Sequence, residues 1–299
     1  MKTGKWRREI PLHLLVFPSL VIVLIYCYIP MFGNVIAFQD FKPIKGFMGS
    51  EWTGLTNLQY VLEMPNTYRI IWNTVYIATM KIIMGNVVPI VIALLLNEIR
   101  KTVVKRSIQT LIYFPYFLSW VILAGILIDV LSLQHGIVNQ TLGWFGIQPI
   151  YFLGDNRWFP ITLVLTDTWK EFGFNTIVFL AALTGINPSL YEAATIDGAN
   201  RWKQTLHITL PGMIPIVVLM ATLSLGNVLN AGFDQVFNLY SPQVYESGDI
   251  LDTLIYRIGV SDAQYGPATA IGLLKSFVSF LLISVSYWLA YRFANYRIF

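Results

Sequence analysis

The chain has 299 residues, a net charge of +4 and a mean hydropathy of +0.60, with 56% hydrophobic and 12% charged residues. A soluble globular domain carries roughly 25% charged residues, so this composition excludes a water-soluble domain, a disordered chain and a free-standing nucleic-acid binder. The apolar excess must face lipid, and the single cysteine, Cys27, excludes a disulfide framework and a four-cysteine zinc site.

Six apolar segments, at approximately 12–34, 70–97, 108–131, 159–183, 213–240 and 268–291, are each long enough to cross a bilayer as a helix. They are continuously apolar rather than alternating, which selects helices over a barrel. The first follows a basic start (Lys2, Lys5, Arg7, Arg8) but is not followed by a small-residue cleavage site, so it reads as a retained span. Lys and Arg sort by side. With the N-terminus in the cytoplasm, the inner segments hold those four, then Arg100, Lys101, Lys105, Arg106, Arg201, Lys203, Arg292 and Arg297. The outer segments hold only Lys42, Lys45, Arg69, Arg157 and Arg257. That bias places both ends in the cytoplasm of a multi-pass protein of the cell membrane. The expected fold is all-α: a polytopic membrane protein with six transmembrane helices. Its expected divisions are 1–69 (tail, first span and outer loop), 70–291 (a five-helix core) and 292–299 (a short tail). The outer loops carry Trp52, Trp144, Tyr151, Phe152, Trp158 and Tyr245, which read either as an interfacial belt or as a docking surface for an extracytoplasmic partner.

Charges inside spans are costly, about 2.5–3.5 kcal/mol each near the bilayer centre, so they must face a cavity, a partner helix or one another. They are Lys81, Asp129, Asp167, Lys170, Glu171, Asp234 and Lys275. Asp129 lies near an outer end and reads as reaching water. Asp167, Lys170 and Glu171 are three and four apart, so an Asp167–Lys170 pair along one helix face is expected, with a pathway role as the alternative. Lys81 and Lys275 are each suited to neutralising a span-four carboxylate; Lys275 is equally suited to an acidic sugar.

Between spans four and five, Asn187-Pro188 reads as a helix start, with Asn as N-cap and Pro at the first helical position. Gly198 permits a sharp turn, 199–209 forms a second short helix, and Pro211 is expected to end it. The result is a helix–turn–helix knob at 186–211. It presents the small residues Ala193, Ala194, Gly198 and Ala199 between the carboxylates Glu192 and Asp197, although Asp197 also suits a local turn cap. On span five, Ser224, Asn227, Asn230, Asp234 and Asn238 follow at helical spacing, so they are expected to form one polar stripe facing inward. Asn and Asp offer donors and acceptors suited to sugar hydroxyls, and Trp169 on span four suits stacking on a sugar ring. The candidate pathway residues are therefore Trp169, Glu171, Asn227, Asn230, Asp234 and Asn238. Helix–helix contact is the alternative for Ser224 and Asn227. Gly226 and Gly232 permit close packing or a bend.

Tyr191-Glu-Ala-Ala-Thr-Ile-Asp-Gly-Ala199, closed by Ile208-Thr-Leu-Pro211, resembles the EAA motif of binding-protein-dependent ABC importer permeases. Asn73-Thr-Val-Tyr76, Ala93-Leu-Leu-Leu-Asn97-Glu98, Gln109 through Trp120 and Trp52-Thr-Gly-Leu-Thr-Asn57 resemble the carbohydrate-uptake branch, the maltose-type permeases for oligosaccharides and polysaccharide fragments. Thr205 departs from the bulkier residue many relatives carry there. The resemblance implies a coupling helix, in which Glu192, Ala193, Ala194, Asp197, Gly198, Ala199 and Pro211 engage a separate ATPase subunit. It further implies two ATPase subunits, a second, related but distinct permease, an extracytoplasmic sugar-binding protein and an oligosaccharide substrate.

No phosphate-binding loop is legible; Gly272-Leu-Leu-Lys275-Ser276 lacks the glycine before the lysine. The three histidines (His13, His135, His207) are scattered, and no catalytic constellation is apparent. The chain is thus expected to be a permease rather than an enzyme and to bind no cofactor or metal itself, with ATP and Mg on the partner. Asn139-Gln-Thr141 matches a glycosylation sequon of little weight. The competing reading is a stand-alone secondary transporter or channel using the intramembrane carboxylates.

Overall fold

The computed structural model describes residues 3–225 and 228–294. Among these the chain is helical nearly throughout; the strands are a two-residue antiparallel pair, Gln39–Asp40 against Glu51–Trp52. Four helical stretches are long and apolar enough to cross a membrane, Glu9–Phe38, Thr67–Glu98, Arg201–Leu225 and Tyr265–Val285, or up to six if each of two bent pairs is one span.

The chain divides into two compact units, residues 1–65 with 255–274, and residues 66–254 with 275–299. In the first unit, Thr3–Val23 continues through a π-helical turn, Leu24–Tyr28, into a 3-10 segment, Ile29–Phe38, that opens on Pro30. None of its apolar window is buried, the exposure expected of a helix solvated by lipid. After it, Asn57 donates to the Ala37 and Gln39 carbonyls at 3.0 Å each, and Phe38 stacks on Trp52, so the Trp52–Asn57 stretch closes a small loop.

In the second unit, Thr67–Glu98 runs along Phe159–Thr184. The larger apolar core is built from Ile77, Leu123, Phe159, Leu163, Val236 and Ile250, all but excluded from solvent. A smaller cluster, Ala93, Phe179, Leu183 and Met213, lies farther along the same helices. Three expectations are corrected here. The third predicted span, 108–131, is not one helix: Thr102–Phe117 and Trp120–Val130 meet at 103°. Pro115 lacks an N–H and lies in the 3-10 turn Phe114–Phe117; Ser119 then caps a new helix by accepting from Ile122 N at 3.3 Å. The fifth, 213–240, is also interrupted. The helix described over Leu210–Leu225 does not run through 228–232, which is non-helical, and another, Phe233–Leu239, starts after Gly232, whose φ of +89° is left-handed. Finally, Pro211 does not end the second knob helix. A π-helical turn, Thr205–Thr209, passes the chain into Leu210–Leu225, with Leu210 N–H bonded to Thr205 O. The wider turn lets the chain pass a residue that has no N–H to give.

Candidate functional site

Two features of the second unit carry polar residues to places where a partner or solute can meet them. The first is a cavity of about 250 Å³ between Thr67–Glu98, Phe159–Thr184 and the interrupted fifth segment. Lys81, Asn86, Glu171, Asn175, Ser224 and Asn230 all contribute to its wall. Thr168 also lines it, 6% exposed, with a hydroxyl that has no hydrogen-bond partner among the described residues.

The charges are paired differently from the along-helix expectation. Asp167 is bound by Lys81 of the neighbouring helix, Nζ to Oδ1 at 3.1 Å, whereas Lys170 pairs with adjacent Glu171 at 3.0 Å. Lys170 is only 7% exposed because it points at the break in the third predicted span. There its ammonium donates to Tyr116 O at 3.1 Å and lies over the rings of Tyr116 and Trp120, at 5.1 and 5.5 Å from their centroids. Lys275 pairs with Asp252 rather than with a span-four carboxylate.

Of the predicted pathway residues, Glu171 and Asn230 line the cavity together with Ser224. Trp169 is exposed on another face of its helix. Asp234 and Asn238 belong to the short helix Phe233–Leu239, where Asn238 donates to Asp234 O at 2.7 Å. Asn227 and Gly226 lie outside the described residues. The single stripe is therefore corrected: the backbone at 228–232 departs from the helical period on which the spacing depended. Sequence reasoning missed Gln235, which is fully buried and donates to Leu163 O at 2.9 Å and Thr166 Oγ1 at 2.8 Å while accepting from Lys81. A glutamine within an apolar segment was the available signal, since its amide needs partners wherever water is excluded.

The second feature is the knob. Pro188–Ile196 starts as expected, with Asn187 Oδ1 accepting from Ser189 N at 3.0 Å. Gly198, at φ +75°, ends it: Gly198 N bonds Thr195 O at 3.1 Å and Ala199 N bonds Ala194 O at 2.8 Å, a left-handed helix stop. Asn200 accepts from Lys203 N at 2.9 Å and starts the return helix. The two arms are tied by Tyr191 to Thr209 at 3.0 Å and by Gln204 to Thr195 and the Ala199 carbonyl, both at 3.1 Å. An Arg201–Glu98 bridge at 2.7 Å fastens the knob to the end of Thr67–Glu98. Glu192 borders a pocket of about 380 Å³ shared with Glu98 and Arg201. Glu192, Ala193, Asp197, Gly198 and Pro211 are exposed, and Ala194 and Ala199 are half-buried. Asp197 sits at the C-terminal cap of the first arm. The surface also offers two apolar side chains that sequence reasoning passed over, Ile196 at 87% and Trp202 at 69% exposure.

The chain is similar to known proteins over nearly its whole length. The chain is 38% identical over 288 residues to the polygalacturonan/rhamnogalacturonan transport system permease protein YteP of Bacillus subtilis (strain 168), covering 96% of this chain and 90% of that one. It is 38% identical over 299 residues to protein LplB of the same organism, covering 100% of this chain and 92% of that one. Among solved structures, the bacterial alginate ABC transporter in complex with alginate pentasaccharide-bound periplasmic protein matches with a TM-score of 0.90 and 33% identity, covering 99% of each chain. Residues 85–295 match the model of the binding-protein-dependent transport system inner membrane component, and the chain belongs to that family.

Proposed function

We propose that this chain is a translocation-pathway subunit of an ATP-driven importer for oligosaccharides, with six spans and both termini in the cytoplasm of the plasma membrane. It pairs with a second, related permease. Two ATPase subunits grip the two permeases from inside, and an extracytoplasmic sugar-binding protein delivers cargo from outside. The observation that carries the reading is the knob. A helical hairpin with small residues at its tip, flanking carboxylates and exposed Ile196 and Trp202 has the form of a plug for a groove on another polypeptide. ATP-driven closure of the ATPases would move that plug, and the spans follow as rigid bodies to open the path outward; hydrolysis resets them.

The cavity supports a carbohydrate cargo. Asn86, Asn175, Asn230, Ser224 and Thr168 present amides and hydroxyls around one space, a set that both donates to and accepts from sugar hydroxyls. The polygalacturonan/rhamnogalacturonan for which one relative is named, and the alginate pentasaccharide bound to the periplasmic protein of the structural neighbour, point the same way.

The test is substitution at Gly198. No atom lies within 4 Å of a Cβ built there, so the chain itself does not occupy that space. Gly198→Trp should abolish uptake and uptake-coupled ATP hydrolysis while the chain remains inserted. Gly198→Asn, which tolerates the left-handed conformation, should keep the turn but still weaken coupling. Full uptake by an inserted Gly198→Trp protein would refute the coupling role.

A further inference from the structure

The fifth predicted span is interrupted beside the cavity, and the interruption is held by one side chain from a different helix. An ammonium carries three N–H donors. On Lys81 all three are engaged: by Ala231 O at 2.7 Å, by Gln235 Oε1, and by Asp167 Oδ1 at 3.1 Å. The lysine side chain is 9% exposed and Ala231 and Gln235 are fully buried, so little water is available to replace these bonds. Two of the three acceptors bracket Gly232, whose left-handed backbone makes the break; a Cβ on Gly232 would stand 2.8 Å from Lys81 Nζ. Gln235 extends the tie to Phe159–Thr184 through Leu163 O and Thr166 Oγ1. Non-helical backbone at membrane depth persists only where it is buried in protein or lines a water-filled cavity; Ala231 is fully buried, and here the lysine supplies the partner for its carbonyl. Asp167 supplies the countercharge.

We propose that Lys81 is a positioning residue for the translocation path. It holds 230–232 out of helical geometry, so that Asn230, the residue before the clamped carbonyl, forms part of the cavity wall. With every donor taken, Lys81 has no free N–H to offer cargo. Its consequence for transport rests on reading the cavity as part of the path, whereas the clamp itself is tested without any sugar.

The experiment uses the full-length chain in nanodiscs with exposed Cys27 replaced by Ser and a single cysteine at Asn230 or, as a reference on the preceding helix, at Ser224. The probe is a membrane-impermeant maleimide, and the readout is the ratio of labelling rates at the two positions. Lys81→Met should shift that ratio by roughly tenfold or more, because the bonds lost are buried and charge-assisted. Lys81→Met also leaves Asp167 an uncompensated buried charge. The double variant Lys81→Met/Asp167→Leu is therefore measured beside it, since it removes both charges but still loses the bonds to Ala231 and Gln235; the same shift is expected. An unchanged ratio in the double variant would overturn the proposal and reduce Lys81 to the countercharge of Asp167. A changed ratio with uptake unaltered would keep the clamp and instead count against the cavity as the path.

Discussion

Gly173 gives the most direct test of how Phe159–Thr184 meets its neighbour. A Cβ at this position would stand 1.9 Å from the Ile112 carbonyl oxygen, 2.6 Å from its carbon and 3.1 Å from Tyr113 N. All three are backbone atoms at the last turn of Thr102–Tyr113, so no side-chain rotation relieves the collision; the two helices must separate by about 1.5 Å to restore ordinary contact. The same approach brings Tyr116 onto Phe174, with centroids 4.2 Å apart, and Tyr116 O to Lys170 Nζ at 3.1 Å. Gly173→Ala therefore sets opposing effects against each other. Replacing a helix-interior glycine by alanine stabilises by about 0.5–1 kcal/mol. Overpacking costs about 1–3 kcal/mol, and losing a bond to a charged donor about 1.5–3 kcal/mol. The net expectation is a loss of about 3.5 kcal/mol, on the sum of those central values. Thermal unfolding followed by far-UV circular dichroism in detergent measures it. Gly125→Ala is the comparison: Gly125 is exposed within Trp120–Val130, with no atom within 4 Å of a built Cβ, and its variant should melt at or slightly above the parent. Equal melting temperatures for the two variants would show that the close approach at Gly173 does not constrain the packing.

Asn139 is 5% exposed and spends its amide on Ser132 O, Ile150 O and Ile150 N, at 3.0, 3.0 and 2.8 Å. Asn139→Ala should cost about 2 kcal/mol, the order expected when buried backbone groups lose their partners, and should speed limited proteolysis between 131 and 158. Protection equal to the parent would contradict this. For the Lys275–Asp252 pair, each side chain 19% exposed, Lys275→Met alone should lower the melting temperature more than Lys275→Met/Asp252→Leu, since the single change strands a carboxylate. A double variant that is the less stable of the two would be evidence against a pair whose main cost is an unmatched charge.

Features governed by local chemistry were legible in the sequence. The Asn187 cap, the Pro188 start and the Gly198 stop each depend on a few adjacent residues, and each is found where spacing put it. Long apolar helices were legible too, as at Thr67–Glu98 where 70–97 was expected. The two interruptions were legible only in part: Gly232 was read as permitting a bend, but the apolar segments on either side of Phe114–Ser119 and of 228–232 read as single spans. Whether a helix stops there depends on what offers a hydrogen bond from the side, and those partners, Lys170 for one and Lys81 for the other, are distant in sequence. Once the fifth segment was read as one helix, period 3.6 assigned Asp234 and Asn238 to the same face as Asn230 and passed over Gln235. Trp169 shows the converse: its helix was right, but no periodicity within one helix says which face meets a cavity.

The two lysines follow a common logic. A carbonyl freed by a helix break in an apolar setting needs a donor, and an ammonium makes a stronger hydrogen bond to it than a neutral amide does. The ammonium brings a charge that must itself be balanced, and both balancing carboxylates, Asp167 and Glu171, come from Phe159–Thr184, four residues apart and therefore on one helix face. One helix thus supplies the countercharges for two clamps, which explains why it carries three ionisable residues within five positions, a density that would be prohibitive if they faced lipid. The same pairing bears on transport by proton relay. A relay needs a carboxylate that exchanges its proton with a mobile path, whereas Asp167 and Glu171 each hold an ammonium at hydrogen-bond distance and each balances a structural break. Charge on this helix is thereby tied to two helix interruptions; on the function proposed above, the driving force for transport enters elsewhere, at the exposed knob.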